Sequence, residues 1–150
     1  MNRPTAAELI DAVRMHLETN IVPVVRADRK LYFQTLVAMN VLRIVERELE
    51  LGPRHIRAAL QRLNDVLGTD APFPDTLDAA RDLLAQRDAE LSQAIRAGDY
   101  DHHPRRADLF NHLKASAVEQ LVIANPRLLA TLQQEEADPS RDAWEGRNDH

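Results

Sequence analysis

One stretch of this chain constrains its fold more than any other, because residues 31–51 are apolar on nearly every side of a helix. Two apolar stripes recur there with a period of about 3.5 residues. The first stripe consists of Leu31, Ala38, Leu42, Val45 and Leu49, and the second of Phe33, Val37, Ile44 and Leu51. Two stripes require two neighbouring elements to cover them. The sequence therefore predicts a central buried helix over about residues 28–51.

The expected bounds of this helix come from residues that favour helix ends. Asp28 is a suitable N-cap, because its carboxylate can accept a hydrogen bond from the first turn. Gly52 can adopt the left-handed conformation that ends a helix, and Pro53 cannot continue one. We therefore expect the helix to end close to Leu51.

Apolar residues at helical spacing predict helices along most of the remaining chain. They form a first helix over about residues 5–19, a third ending at Gly68, a fourth from Asp75 to Gly98, a fifth through residues 109–124, and a short one from Asn125. The predicted fold is an all-α bundle of five or six helices, with the helix over about residues 28–51 at its centre.

The segment 21–25 is expected to be an extended connector pressed on the core. It is apolar, but Pro23 lacks a backbone donor and disfavours the helical conformation at Val22. Thr5 and Glu8, at the start of the chain, have the spacing of a capping box.

Length and composition indicate one domain without disulfides or thiolate metal sites. The chain has 150 residues and no cysteine, so disulfides and thiolate metal sites are excluded. We expect a single helical domain over residues 1–136 and a disordered acidic tail over residues 137–150. No apolar run approaches the roughly 20 residues of a membrane span, and a cytoplasmic location is expected.

The formal charge of −5 is concentrated at the C-terminal end. Residues 135–150 contain six acids and two arginines, a balance of −4. The rest of the chain is close to neutral and offers no basic field for a phosphate backbone. Nucleic-acid binding is therefore not expected.

Three polar residues on the central helix are candidate ligand- or partner-binding residues: Asn40, Arg43 and Arg47. Asn40 and Arg47 interrupt an apolar stripe, and a buried polar group without a partner costs about 1–3 kcal/mol. They could close the backbone of a neighbouring connector, fix the register of a helix, or line a ligand pocket. In the last case the planar fork of Arg47 suits a carboxylate or phosphate.

A second cluster, His102, His103, Asp108 and His112, has ligand types suited to a divalent ion. An Asp with a His four residues later near a helix start is more often a surface pair, so no metal site and no cofactor are predicted. The serines lack the glycines of a nucleophile elbow, and no glycine-rich loop could hold a phosphate. No catalytic residue is therefore predicted.

Four segments of the sequence together resemble a known family. They are RPTAAEL at 3–9, VERELELGP at 45–53, AIRAG at 94–98 and ANPR at 124–127. The chain resembles an uncharacterised bacterial domain family of unknown function, over about residues 3–130. Its members tend to occur beside genes for aminoglycoside-phosphotransferase-like kinases and acyl-CoA dehydrogenases. The resemblance implies this context but no site residues.

The leading hypothesis from sequence is a non-enzymatic accessory domain that binds a protein partner, such as a kinase-like or acyl-CoA-handling enzyme. The alternative is a binder of a small anion, an acyl thioester or phosphorylated compound, or an enzyme, with a cleft at Asn40, Arg43 and Arg47. A third possibility is that the second apolar stripe closes a homodimer.

Overall fold

The chain folds into α-helices joined by short loops in a computed structural model that describes residues 2–138 and 140. The helices are α1 (Ala6–His16), α2 (Val22–Val25), α3 (Arg29–Leu67), α4 (Leu77–Arg96), α5 (Arg106–Ala124) and α6 (Pro126–Glu136). A π-helical segment, Leu17–Ile21, joins α1 to α2. The described residues contain no strand, and the predicted all-α class is confirmed.

Three parts of the chain lie outside this description. Met1, residue 139 and residues 141–150 are not described. The predicted tail over residues 137–150 therefore lies outside the described residues, apart from residues 137, 138 and 140. Within the described part, no helix is both long enough and apolar enough to cross a membrane.

The N-terminal helix begins as its capping box predicts. The Thr5 hydroxyl accepts from the Glu8 backbone N–H at 3.2 Å, and the Thr5 N–H donates to the Glu8 carboxylate at 2.7 Å. The expected extended connector over residues 21–25 is wrong, because this segment is helical. Pro23 lies in the first turn of α2, where a missing N–H costs nothing, and Val22 is buried.

Helix α3 is much longer than its sequence signals indicate. It starts as predicted at Asp28, whose carboxylate accepts from the Leu31 N–H at 3.0 Å, and it runs for 39 residues. The predicted end near Leu51 is wrong. Gly52 and Pro53 lie inside the helix, and α3 ends at Gly68, which has a φ of 66°.

The core lies beside the C-terminal half of α3. It is formed by the buried side chains of Ile56, Leu60, Leu63 and Val66 of α3, Ala80 and Leu91 of α4, and Leu109 of α5. Burial of these side chains stabilises α3 beyond Pro53, because each contributes about 1–3 kcal/mol. Tertiary packing thus overrides the local signals that favour a helix end at residue 52.

Helix α3 is central to the bundle, but residues 28–51 are not its buried part. The helix contacts α1, α2, α4 and α5 along its length. Within residues 28–51, however, the only buried side chains are those of Thr35 and Met39. The prediction that this stretch is buried is wrong, because α4 and α5 pack on the other half of α3 and mainly α1 covers this one.

Helices α4 and α6 begin at side-chain caps, whereas α5 begins after Arg105 without one. Thr76, one residue later than predicted, caps α4 by accepting from the Ala79 N–H at 3.1 Å. Asn125 caps α6 by accepting from the Leu128 N–H at 3.1 Å. Helix α6 then packs on α5.

Candidate functional site

The three candidate residues from the sequence lie on the N-terminal half of α3, and the side chain of Arg47 forms a structural hydrogen bond. Arg47 Nε donates to the carbonyl oxygen of Ile123 at 2.7 Å. This carbonyl belongs to the last turn of α5, where carbonyl groups have no partner within the helix. Of the three uses that the sequence leaves open, this bond corresponds to closing the backbone of a neighbouring element.

Asn40 and Arg43 do not share that contact. Asn40 is exposed and Arg43 is half-buried. Asn40, Arg43 and Arg47 do not line any of three of the best-formed cavities among the described residues. An anion-binding role for these residues stays a prediction.

The structure separates His112 from the other members of the cluster predicted from the sequence. His102, His103 and Asp108 are exposed, and His103 Nδ1 accepts from the Arg105 N–H at 3.0 Å. His112 is only 2% exposed and turns away from them. Among the described residues, no group of three or more His, Cys, Asp or Glu is arranged to hold a metal ion.

A polar cavity of about 250 Å³ lies between α3, α4 and α5. Its wall includes Glu48, Gly52 and His55 of α3, Asp88 of α4, and Ser116 and Glu119 of α5. Beside it, Arg62 donates to both carboxylate oxygens of Glu119 at 2.8 Å. This bidentate pair ties α3 to α5.

Burial perturbs two titratable groups at this cavity. It raises the pKa of Asp88, against the opposing effect of nearby His112. Burial also lowers the pKa of His112, and the Arg62 guanidinium lowers it further, whereas Asp88 and Glu119 raise it. His112 Nε2 lies 3.9 Å from Asp88 Oδ1, and the lowered pKa favours a neutral imidazole there.

The sequence did not reveal the polar cavity, because the residues that form it come from three separate helices. Asp88 and His112 are 24 positions apart, and Arg62 and Glu119 are 57 apart. The one usable signal was that His112 follows Leu109 by three residues, on the buried side of α5. His112 Nδ1 and His55 Nδ1 are buried without a hydrogen bond. Arg62 Nε is also buried without a hydrogen bond, although the other two nitrogens of this guanidinium bind Glu119.

Another cavity, of about 260 Å³, lies under the loop between α3 and α4. Asn64 fastens this loop by donating to the Ala71 carbonyl oxygen at 3.0 Å and accepting from Thr69 Oγ1 at 3.0 Å. The Arg57 guanidinium stacks over the Phe73 ring at 4.0 Å. Two of the four α3 residues that line the cavity, Arg57 and Asn64, thus have structural contacts.

The most unusual surface of the molecule is apolar. Five side chains at a spacing of four residues form what we call the apolar ridge: Phe33, Val37, Val41, Val45 and Leu49. All five are exposed, between 38% and 67%. They are offset by two residues, or about 200°, from the buried Thr35 and Met39. Phe33 and Val37 therefore lie on the side of α3 opposite Thr35 and Met39, and the row winds by about 40° at each step, so that Leu49 lies about 160° around the helix from Phe33.

Other large apolar residues are exposed on the same two helices: Leu31 and Leu36 on α3, and Leu9, Val13 and Met15 on α1. Single exposed apolar residues are normal on a protein surface, but a contiguous set indicates a contact site. The apolar ridge is the strongest candidate for a functional surface.

Sequence comparison places the chain in a family. The profile of a domain of unknown function, DUF6285, matches residues 26–128. The chain belongs to this family. No curated protein and no solved structure is significantly similar to it. The resemblance to an uncharacterised family is thus confirmed, over a shorter range than expected from the sequence.

The range of the DUF6285 match shows whether the apolar ridge and the polar cavity belong to the family domain. The matched range contains all of α3, α4 and α5 and the start of α6, whereas α1 and α2 precede it. The apolar ridge and the polar cavity therefore both lie in the DUF6285 domain. Helices α1 and α2, which also pack on α3, lie outside the match.

Proposed function

We propose that this protein is a protein-interaction domain whose apolar ridge docks on a protein partner. The observation that supports this most directly is the exposure of five apolar side chains in one row, with Phe33 67% exposed. Covering apolar surface is worth about 25 cal/mol per Å², so a row of this kind provides a driving force for association.

The position of the ridge on the fold favours docking over a folding role. The core of the domain is complete on the C-terminal half of α3, where Leu63 is fully buried. The ridge lies beyond that core on a continuous helix, which holds its side chains rigidly without further support. Exposed apolar residues on a helix are a common way to bind a protein partner.

The biological setting is part of the same proposal. We propose a bacterial accessory protein of the cytoplasm, a location that suits a chain without cysteine. The enzymes implied by the family resemblance, a kinase-like or an acyl-CoA-handling enzyme, are the first partners to test.

A photo-crosslinking amino acid at Val41 tests the proposal in the native host. The matched control carries the same group at Ala85, an exposed residue of α4 away from the ridge. The proposal expects a discrete protein adduct at position 41, either with another protein or with a second copy, and none at position 85. Equal or absent adducts at the two positions would refute it.

A substitution tests whether the contact matters. Val41→Asp places a charge in the middle of the ridge and should abolish the adduct formed through a crosslinker at Val37, whereas Ala85→Asp should leave it intact. Circular dichroism of both variants should show unchanged helix content. An adduct that persists in Val41→Asp would mean that the ridge is not the docking surface.

A further inference from the structure

We propose that the cavity under the loop between α3 and α4, which we call the loop cavity, binds a small organic carboxylate. Arg57 and Arg87 hold the carboxylate group, and the apolar body of the ligand lies against Phe73 and Leu83. The loop cavity shares no residue with the apolar ridge, so this binding site goes beyond the proposed function.

The loop cavity has room for a small organic molecule. Its volume is about 260 Å³. Since a cavity of about 150 Å³ is enough to hold a benzene ring, the loop cavity accepts roughly ten non-hydrogen atoms. Gln61 and Asp70 in its wall are exposed and leave it open to solvent, so a ligand can enter.

Contacts within the fold shape the loop cavity before any ligand binds. Asn64 Oδ1 accepts from the Ala71 N–H at 3.3 Å as well as from Thr69 Oγ1, which ties the loop to α3. The stacked Arg57 guanidinium holds the Phe73 ring in place. Ligand sites are usually preformed in this way, because ordering a loop on binding lowers the affinity.

Two arginines line the loop cavity without an acidic partner. Neither Arg57 nor Arg87 forms an ion pair with another residue that the structure describes. Arg57 makes no hydrogen bond to these residues either, and its contact with Phe73 uses the face of the guanidinium, so the N–H groups in its plane stay available. The half-buried Arg87 donates one bond, to Asn64 Oδ1 at 3.3 Å, and keeps its other donors. Guanidinium groups with unused in-plane donors are typical binders of carboxylates and phosphates.

The charge of the loop cavity favours a carboxylate over a phosphate ester. Its charged residues are two arginines and one aspartate, Asp70, a balance of +1. Asp70 is exposed and forms no ion pair with a described residue. A carboxylate has a single negative charge and neutralises this balance, whereas a phosphate monoester carries about −1.5 to −2 at pH 7.

The rest of the wall selects a ligand with an apolar body. Leu60 is only 5% exposed, and Phe73 and Leu83 are half-buried. In a concave site, apolar walls bind the apolar part of a ligand, while a few polar groups fix its orientation. Inorganic phosphate has no apolar part and should bind much more weakly than a carboxylate of matching size.

Titration of the ¹⁵N-labelled full chain, followed by NMR, tests this proposal. The probes are hexanoate, octanoate and phenylacetate, which have at most about ten non-hydrogen atoms. At least one should shift the backbone amides of residues 69–73 and the Nε–H signals of Arg57 and Arg87 to saturation, with a dissociation constant of about 1 mM or lower. The neutral amide of that probe and inorganic phosphate should bind about tenfold more weakly or worse. The proposal is overturned if none of the three carboxylates binds at about 20 mM, or if phosphate binds as well as they do.

Substitutions distinguish a defined site from general surface charge. Arg57→Gln and Arg87→Gln should each weaken binding of the best probe by about tenfold or more. Arg54→Gln is the matched control and should bind like the wild type, because Arg54 is an exposed arginine of α3 that does not line the loop cavity. The same affinity in all three variants would show that the arginines of the loop cavity have no special role.

A cavity-filling variant makes the test independent of the arginines. Ala71→Leu leaves both guanidinium groups in place but occupies part of the loop cavity, so it should also weaken binding by about tenfold or more. Circular dichroism and thermal unfolding check that each variant is folded. Unchanged binding by Ala71→Leu would show that the carboxylate binds elsewhere and would overturn the proposal. Either failure leaves the docking of the apolar ridge untouched, because the crosslinker at Val41 tests that separately.

Discussion

At the scale of the residue, His112 is an imidazole packed where its charged form is disfavoured. Burial, together with the Arg62 guanidinium, lowers its pKa from 6.5, and Asp88 and Glu119 only partly offset this. The unfolded chain therefore binds a proton at His112 at a higher pH than the folded chain does. Stability should fall as the pH drops from about 6.5 towards the lowered pKa.

Urea unfolding at about pH 7.5 and about pH 5.5 measures this effect. The wild type should lose stability at the lower pH, and His112→Gln should lose less. His102→Gln, at an exposed loop position, is the control and should behave like the wild type. Asp88, whose pKa is raised by burial, acts in the opposite direction nearer its ordinary value of 3.8. Equal losses in His112→Gln and the wild type would contradict the assignment.

Arg47 is expected to stabilise the fold through its hydrogen bond to the backbone of α5. Arg47→Ala removes the hydrogen bond to the Ile123 carbonyl oxygen and should lower the free energy of unfolding by about 1–2 kcal/mol. Arg43→Ala is the control on the same helix. Thermal unfolding with and without inorganic phosphate or CoA separates this structural role from the predicted anion site, because only an anion site gives stabilisation that depends on Arg47.

At the scale of the element, α3 contains a proline at a position where proline is unfavourable. Pro53 lies in the helix interior, where it cannot donate to the carbonyl of Leu49. Pro53→Ala restores this donor and should stabilise the protein by about 2 kcal/mol, after allowance for the more flexible unfolded chain.

Pro126→Ala is the matched control for that prediction. Pro126 lies in the first turn of α6, where the missing donor costs nothing, so its replacement should be neutral or slightly destabilising. Chemical denaturation of the two variants compares them directly. Destabilisation by Pro53→Ala would show that a bend at Pro53 is needed for the packing of α4 and α5.

At the scale of the whole molecule, the core and the apolar ridge lie on different halves of α3. Leu63→Ala in the core should cost about 2–5 kcal/mol, because it leaves a cavity among fully buried neighbours. Phe33→Ala, on the ridge, should cost under about 1 kcal/mol in dilute protein, where the ridge is uncovered. Unfolding curves at low concentration compare the two, and a large loss in Phe33→Ala would place Phe33 in the core.

Much of the local structure could be predicted from the sequence. Thr5, Asp28, Gly68 and Asn125 mark helix ends as expected, because capping joins groups within four residues of one another. Local spacing also gave the all-α class. For the site, the sequence singled out Arg47 without its partner, Ile123, which lies 76 positions away.

The sequence by itself determined that this chain is all-α, where most of its helices begin, and which positions of each helix are apolar. The tertiary structure alone decided which of those faces are covered, why α3 continues through Gly52 and Pro53, and that His112 meets Asp88. The physical reason is the range of the interactions. Helix spacing and caps depend on neighbours along the chain, whereas burial depends on where distant helices pack, and α4 and α5 pack against only one half of α3.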